Sequence, residues 1–278
     1  MSIVADSQLG PLTAVLEDVG PMVVAFSGGA DSALLAWAAT SVLGPELVLC
    51  TTAVSPSLPA QGVADCRSLA TEWGLRYREV ATTEMDEPAY VRNDERRCYH
   101  CKASLLDALA PLAESESATV VLGVNVDDLS DHRPGQQAAI ERGARFPLVE
   151  AGFTKRQVRA LSRRLGLRTW DKPAAACLAS RLPMGTPVTV QRLAAVEQAE
   201  AALRSLGFSQ LRVRHHGEVA RVELEAPELE VALAKRAAVV EAVRSAGYRF
   251  VALDLEGFRS GSLNPSSATS GSTGGVTP

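Results

Sequence analysis

Residues 22–32 read MVVAFSGGADS. Five apolar residues, Met22 to Phe26, run straight into Ser27-Gly28-Gly29-Ala30-Asp31-Ser32. The apolar run reads as a buried strand, and the stretch from Asp31 to Val42 reads as a helix. The glycines between them admit backbone conformations closed to other residues and leave room for a ligand. Successive N–H groups can then face an anion, helped by the positive end of the helix. Ser27 and Ser32 add hydroxyl donors, and Asp31 suits a Mg²⁺ ion that contacts phosphate in its place. The bland alternative is a strand-to-helix turn closed by a Ser or Asp cap. The whole hexapeptide, set between strand and helix, favours phosphate binding. The loop is neither a Walker loop nor GxGxxG.

Working outward, LVLCTTAV (47–54) is β-branched without polar alternation, as expected of a strand buried on both faces. A helix follows at 59–73, a strand at 76–81, a helix at 98–113, a strand at 119–124 and a short helix at 133–143. This alternation predicts an α/β fold with a parallel sheet covered on both sides. Thr154 with Gln157 three residues on fits a capping box, and Gly166 fits the end of that helix. Three prolines then interrupt 170–188. Beyond them the order is a helix over 189–206, strands LRVRHH and ARVELE joined at Gly217-Glu218, a helix over 227–245 and a closing strand RFVALDL. That is a smaller α+β unit. The boundary falls within 175–188, which divides the chain into 1–180 and 181–263. The Ser-, Thr- and Gly-rich tail 264–278 is expected to be disordered.

The chain has 278 residues, 46% of them hydrophobic and 22% charged, as in a soluble globular protein. A net charge of −4 argues against a general nucleic-acid binder. No apolar run approaches the roughly 20 residues needed to cross a bilayer. The acidic N-terminus lacks the form of a signal peptide, so the expected location is cytoplasmic, where thiols stay reduced.

Five cysteines in such a chain point to metal binding or thiol chemistry rather than a disulfide framework. Cys98 and Cys101 form a CxxC on a helix, so both thiols share a face, and Arg96, Arg97 and Lys102 favour thiolates. Cys50 and Cys66 read as small buried residues. Cys177 follows three alanines in a proline-bounded loop and precedes Ser180 and Arg181. Its thiolate suits the role of a nucleophile, and Arg181 suits a phosphate or carboxylate.

The hexapeptide resembles the SGGxDS pyrophosphate loop of the ATP-pyrophosphatase (PP-loop) superfamily. A closer resemblance runs from about residue 8 to 263. It is carried by SGGADS (27–32), RCYHCK (97–102), GVNVDDLSDHRPG (123–135), WDKPAAACLASR (170–181), RVRHHGEVARVE (212–223) and LDLEGFRSGSLN (253–264). On these segments the chain resembles the LarE-type ATP-dependent sacrificial sulfur transferases, the pyridinium-3,5-bisthiocarboxylic acid mononucleotide synthases.

The resemblance implies an adenine nucleotide alpha-hydrolase-like domain that binds ATP and Mg²⁺ at Ser27, Gly28, Gly29, Asp31 and Ser32. A carboxylate of a pyridinium dicarboxylate mononucleotide would be adenylated and pyrophosphate released. A sulfur nucleophile would then displace AMP, and two rounds would yield the precursor of a nickel-pincer nucleotide cofactor. The family draws its sulfur in two ways. In one, a cysteine matching Cys177 gives up its own sulfur and becomes dehydroalanine. In the other, a CxxC joins it, and three thiolates hold a [4Fe–4S] cluster with one open iron. Cys98, Cys101 and Cys177 together favour the cluster version.

The mononucleotide carries a phosphate, for which Arg212 and Arg214, on one face of a strand, are the expected ligands, with Ser180 and Arg181 as helpers. The alternative for the arginine pair is a solvated basic strand face. Asp127 and Asp128 follow a strand end, where ligands collect. They, or Glu200, are candidates for Mg²⁺ or a second metal. His132 and Arg133 are candidate nucleotide contacts, and His215 and His216 read as surface residues of the hairpin. The resemblance also implies a homo-oligomer, such as a hexamer built from trimers, acting on a small molecule without nucleic acid or membrane.

Three rival readings remain at this point. A tRNA-thiolating relative would need a basic RNA surface that the net charge does not suggest. A non-catalytic nucleotide-binding regulator would bind ATP without forming AMP. An ammonia-using synthetase gives no use for three cysteines.

Overall fold

Apolar stretches without alternation become inner strands, because both of their faces are covered by helices. The computed structural model describes residues 9–130, 134–173 and 176–259. The expected disorder of 264–278 and the roles suggested for His132 and Arg133 lie outside the described residues. The chain divides into two compact units between Ala176 and Cys177.

The first unit begins with α1 (Gly10–Val19), β1 (Met22–Ala25), α2 (Ala30–Leu43), β2 (Val48–Val54), α3 (Ala60–Trp73) and β3 (Tyr77–Ala81). It continues with α4 (Pro88–Val91), α5 (Arg97–Ser115), β4 (Thr119–Leu122), α6 (Pro134–Glu141), α7 (Pro147–Glu150) and α8 (Lys155–Arg164). The sheet order is β3-β2-β1-β4 and every pairing is parallel. A single parallel bridge from Arg145 to Val121 extends it past β4. This is the α/β architecture expected from the alternation of elements.

The helix after the glycine loop, α2, is apolar around its circumference. Ala33, Leu34, Leu35, Ala36, Ala38 and Ala39 are all buried, as a helix without a polar face must be. Leu34 and Leu35 belong to the main core with Leu12, Leu16, Leu69 and Leu161. Truncating one such leucine to alanine costs about 2–5 kcal/mol. The predicted capping box opens α8: the Gln157 N–H donates to Thr154 Oγ1 (3.3 Å) and the Thr154 N–H donates to Gln157 Oε1 (2.9 Å). The one-turn helices α4 and α7 are not anticipated by periodicity; each starts at a proline, which fits a first helical turn.

The second unit contains α9 (Val190–Ser205), β5 (Leu211–His216), β6 (Val219–Leu224), α10 (Glu228–Ala234), α11 (Arg236–Ser245) and β7 (Phe250–Leu253). Its sheet runs β5-β6-β7, antiparallel in the hairpin and parallel between β6 and β7. Gly217 turns the hairpin with φ 64°. The sequence predicts one helix over 227–245, whereas the structure has two, interrupted at Lys235 (φ −93°, ψ 17°). The Lys235 ammonium donates to the Leu206 carbonyl at 2.9 Å and lies over the Phe208 ring. Among the described residues no helix is long and apolar enough to cross a membrane.

Candidate functional site

The strand order of the first sheet reverses between β1 and β4, and ligands of open α/β sheets gather at the carboxyl ends of strands at such a reversal. The glycine loop lies there. Gly28 has φ 66°, a conformation that favours glycine. A Cβ built on it would meet Cys66 Sγ at 3.0 Å and Lys172 Nζ at 3.8 Å. The Ser27 N–H donates to Ser32 Oγ (3.2 Å), and the two hydroxyls are 3.0 Å apart. Gly123, just after β4, touches the start of α2. A Cβ there would lie 2.5 Å from Ser32 N and 2.7 Å from Ser32 Cα. The end of β4 and the glycine loop are therefore in backbone contact. Ser27 and Ser32 open onto a cavity of about 180 Å³ with walls from Leu58, Leu105, Leu122 and Val124. Lys102, on the same helix as the CxxC, also lines it, and burial pushes its pKa down against the opposing pull of Cys101 and Cys98.

Charges surround the loop in pairs. Asp31 accepts from Asn125 Nδ2 at 3.1 Å through one oxygen and forms an ion pair with the Lys155 ammonium through the other. Buried Asn125 also donates to Asp128 Oδ2 (2.8 Å), so one amide holds two carboxylates. Asp127 accepts the Lys155 N–H at 2.8 Å, at the start of α8. On the Gly28 side, Lys172 pairs with Asp65 at 2.9 Å. Desolvation pushes the Asp65 carboxyl up, but hydrogen bonds from Gln61 and Lys172 outweigh it and hold the group below its ordinary range.

Within this unit the structure thus brings Ser27, Gly28, Gly29, Asp31, Ser32 and Asp128 together. Sequence reasoning passed over Gly123, Asn125, Lys155 and Lys172, and named Lys102 only for its effect on the CxxC thiols. Gly123, Asn125, Lys102 and Lys172 stand inside segments already singled out. Lys155 carries no local signal at all.

The cysteines divide into two kinds. Cys98 and Cys101 occupy the first turn of α5, the former exposed and the latter half-buried. Cys177 is half-buried and extended (φ −61°, ψ 156°), and its carbonyl accepts from Ser180 Oγ (2.8 Å) and Arg181 Nη1 (3.1 Å). Cys50 and Cys66 are buried. Burial pushes the Cys50 thiol up to about 12 and raises that of Cys66. Among the described residues no group of three or more His, Cys, Asp or Glu side chains is arranged to hold a metal ion.

In the second unit, Arg181, Arg212 and Arg214 are all buried, so the arginine pair is not a solvated strand face. Arg214 donates to Glu223 Oε2 (2.9 Å) and to the Ser180 carbonyl (2.9 Å), and Arg221 donates to the other Glu223 oxygen (3.1 Å). Glu200 accepts from Arg181 Nε (2.9 Å), the Val213 N–H (3.1 Å), Arg181 Nη2 (3.3 Å) and Arg204 Nη2 (2.9 Å). Its carboxylate is engaged as the counter-ion of two arginines. Arg212 differs. Its guanidinium stacks over Phe258 at 4.7 Å, and among the described residues it forms no ion pair or hydrogen bond. Burial first, then Arg181 and Arg214, push its pKa down to about 10. His215 corrects the sequence reading. It is buried, with Nδ1 3.2 Å from Tyr248 Oη, because β5 is covered on both faces; only His216 is exposed.

No protein-family model matches the chain. It is 44% identical over 262 residues to an uncharacterized protein of Synechocystis sp., spanning 93% of this chain and 97% of that protein. A more distant relative is an uncharacterized protein of Methanocaldococcus jannaschii, 25% identical over 242 residues, 86% of this chain and 91% of its own. To the pyridinium-3,5-bisthiocarboxylic acid mononucleotide synthase of Lactiplantibacillus plantarum it is 38% identical over 254 residues, 91% of this chain and 92% of that enzyme. With that identity over nearly the whole length, and with a parallel sheet whose reversal point carries the SGGADS loop, the chain belongs to the LarE-type pyridinium-3,5-bisthiocarboxylic acid mononucleotide synthase family of the PP-loop superfamily.

Proposed function

We propose that this protein is an enzyme that uses ATP to activate a carboxylate of a pyridinium dicarboxylate mononucleotide and inserts sulfur there. Two rounds give the bisthiocarboxylate precursor of a nickel-pincer nucleotide cofactor. The observation that carries this reading is the SGGADS loop, with paired hydroxyls opening onto the cavity at the sheet reversal. In this reading the apolar walls of the cavity take the adenine, and the N–H groups of the loop take the polyphosphate. Mg²⁺ is bound by one or two carboxylates plus phosphate oxygens. Asp31 and Asp128, joined through Asn125, fit such a set. When bound, the ion neutralises phosphate charge. The substrate carboxylate attacks the α-phosphorus, pyrophosphate leaves, and a sulfur nucleophile then displaces AMP from the acyl-adenylate.

Arg212 receives the phosphate of the mononucleotide in this proposal. A buried guanidinium without a carboxylate partner is costly unless an anion joins it, whereas Arg214 is already bonded to Glu223 and Ser180. Ser180 and Arg181 frame the site. Glu200 is assigned the positioning of Arg181 rather than a metal.

We assign sulfur delivery to Cys98, Cys101 and Cys177, with a [4Fe–4S] cluster as the proposed carrier. Two accessible thiols three residues apart in the first turn of α5 suit two of its ligands. The adenylation chemistry does not depend on the cluster.

The test is a reaction with ATP, Mg²⁺ and the pyridinium substrate on anaerobically purified protein, with iron and sulfide assays and mass spectra of protein and small molecule. AMP, pyrophosphate and a thiocarboxylate are expected. ATP binding without AMP would refute the enzymatic reading. Iron-free protein in which Cys177 has become dehydroalanine would replace the cluster by sacrificial donation.

A further inference from the structure

The carboxylate closest to the phosphate loop already has a cation. Asp31 lies in the first turn of α2, and its Oδ2 is bonded by the ammonium of Lys155, the first residue of α8. The Asp31 side chain is only 17% exposed. The other oxygen is held by Asn125, which in turn holds Asp128. Lys155 is anchored independently of its charge, since its N–H donates to Asp127 Oδ2 at 2.8 Å. Its backbone is thus fixed while a flexible four-carbon stem carries the ammonium. A second ammonium, Lys172, stands on the Gly28 side but is paired with Asp65, outside the Asp31–Asn125–Asp128 group.

An aspartate beside an incoming polyphosphate is repulsive unless a cation stands between them. From this arrangement we propose that Lys155 is the resident counter-ion of Asp31 and that Mg²⁺ displaces it when ATP occupies the loop. The proposal rests on the reading of the loop as an ATP site. It makes Lys155 a partial substitute for the metal. Metal-free ATP then still binds, because the ammonium shields Asp31. Removing it exposes the carboxylate to the phosphates and deepens the dependence on magnesium.

The experiment is calorimetric titration of the full-length protein with ATP, in excess EDTA and in excess Mg²⁺, for wild type, Lys155→Ala, Lys155→Arg and Lys172→Ala. The quantity read is the ratio of the metal-free to the magnesium dissociation constant. Loss of one charge-assisted contact predicts that the ratio rises roughly tenfold or more in Lys155→Ala. Lys155→Arg keeps the charge and stays near the wild-type ratio. Lys172→Ala weakens both affinities together and leaves the ratio unchanged. A purely structural role for Lys155 moves the melting temperature or both affinities in parallel, so an unchanged ratio in Lys155→Ala overturns the proposal. An equal rise in Lys172→Ala overturns it too, because any nearby cation would then serve. Absence of ATP binding by wild type under both conditions would instead overturn the functional reading beneath it.

Discussion

Adding one methyl group at Gly123 tests whether the end of β4 shapes the nucleotide site. The new Cβ would stand 2.5 Å from Ser32 N, 2.7 Å from Ser32 Cα and 2.8 Å from the Asp31 carbonyl carbon. All three neighbours are backbone atoms, so no rotamer change relieves the clash. Restoring an ordinary separation of about 3.5 Å requires the strand end and the helix start to part by roughly 1 Å. Overpacking of this kind costs about 1–3 kcal/mol. At about 2–4 °C per kcal/mol for a unit of this size, the melting temperature of Gly123→Ala falls by roughly 2–12 °C. The displaced residues are Asp31 and Ser32, and a 1 Å misplacement can cost about a hundredfold in rate. AMP formation should therefore fall much further than stability does. Gly29→Ala is the control for the fold: its Cβ would meet Ser27 Oγ at 3.6 Å, an ordinary contact, and φ is −79°. Its melting temperature should match wild type. Scanning calorimetry and an AMP-release assay read both effects. A Gly123→Ala protein that melts with wild type and forms AMP at the wild-type rate would refute the reasoning.

Two further outcomes follow from the second unit. Glu223 is fully buried and bonds both Arg214 and Arg221, so Glu223→Ala leaves a buried guanidinium without its carboxylate. Guanidinium chloride unfolding should show a loss of about 3–5 kcal/mol, and Arg214→Met combined with Glu223→Leu should recover most of it; equal stability of Glu223→Ala and wild type would sink the argument. His215 is held below its ordinary 6.5 by burial first, then by Arg192 and His216. The folded state therefore binds its proton less readily than the unfolded chain. Stability is unaffected well above 6.5 and declines as pH falls below 6.5, until the depressed folded value is reached. His215→Gln should flatten that decline in melts run from pH 7.5 to 5, and an unchanged slope would count against it.

Local signals announced most of the framework. The apolar run ending at Phe26, the β-branched run in β2 and the Thr154–Gln157 cap each depend on neighbours a few residues away, and each appears where expected. The break at Lys235 and the interior place of His215 did not show. The place of His215 depends on what packs against the segment, Tyr248 and a covered strand; the break falls at an exposed lysine with no local signal. Arg212 and Arg214 were legible as a pair on one strand face. That one is bonded to Glu223 while the other stacks on an aromatic ring was not, since β5 and β6 must pair before Glu223 comes into reach.

By itself the sequence determined the alternation of strands and helices, the glycine loop between the first strand and the helix after it, and the family. These are carried by short contiguous segments, whose conformation follows from nearby side chains and backbone freedom. Tertiary structure alone decided which charges meet at the loop. Asp31 and Lys155 are 124 residues apart, and Lys172 and Asp65 are 107 apart. Contacts over such separations follow from strand order and helix placement, which no local period encodes.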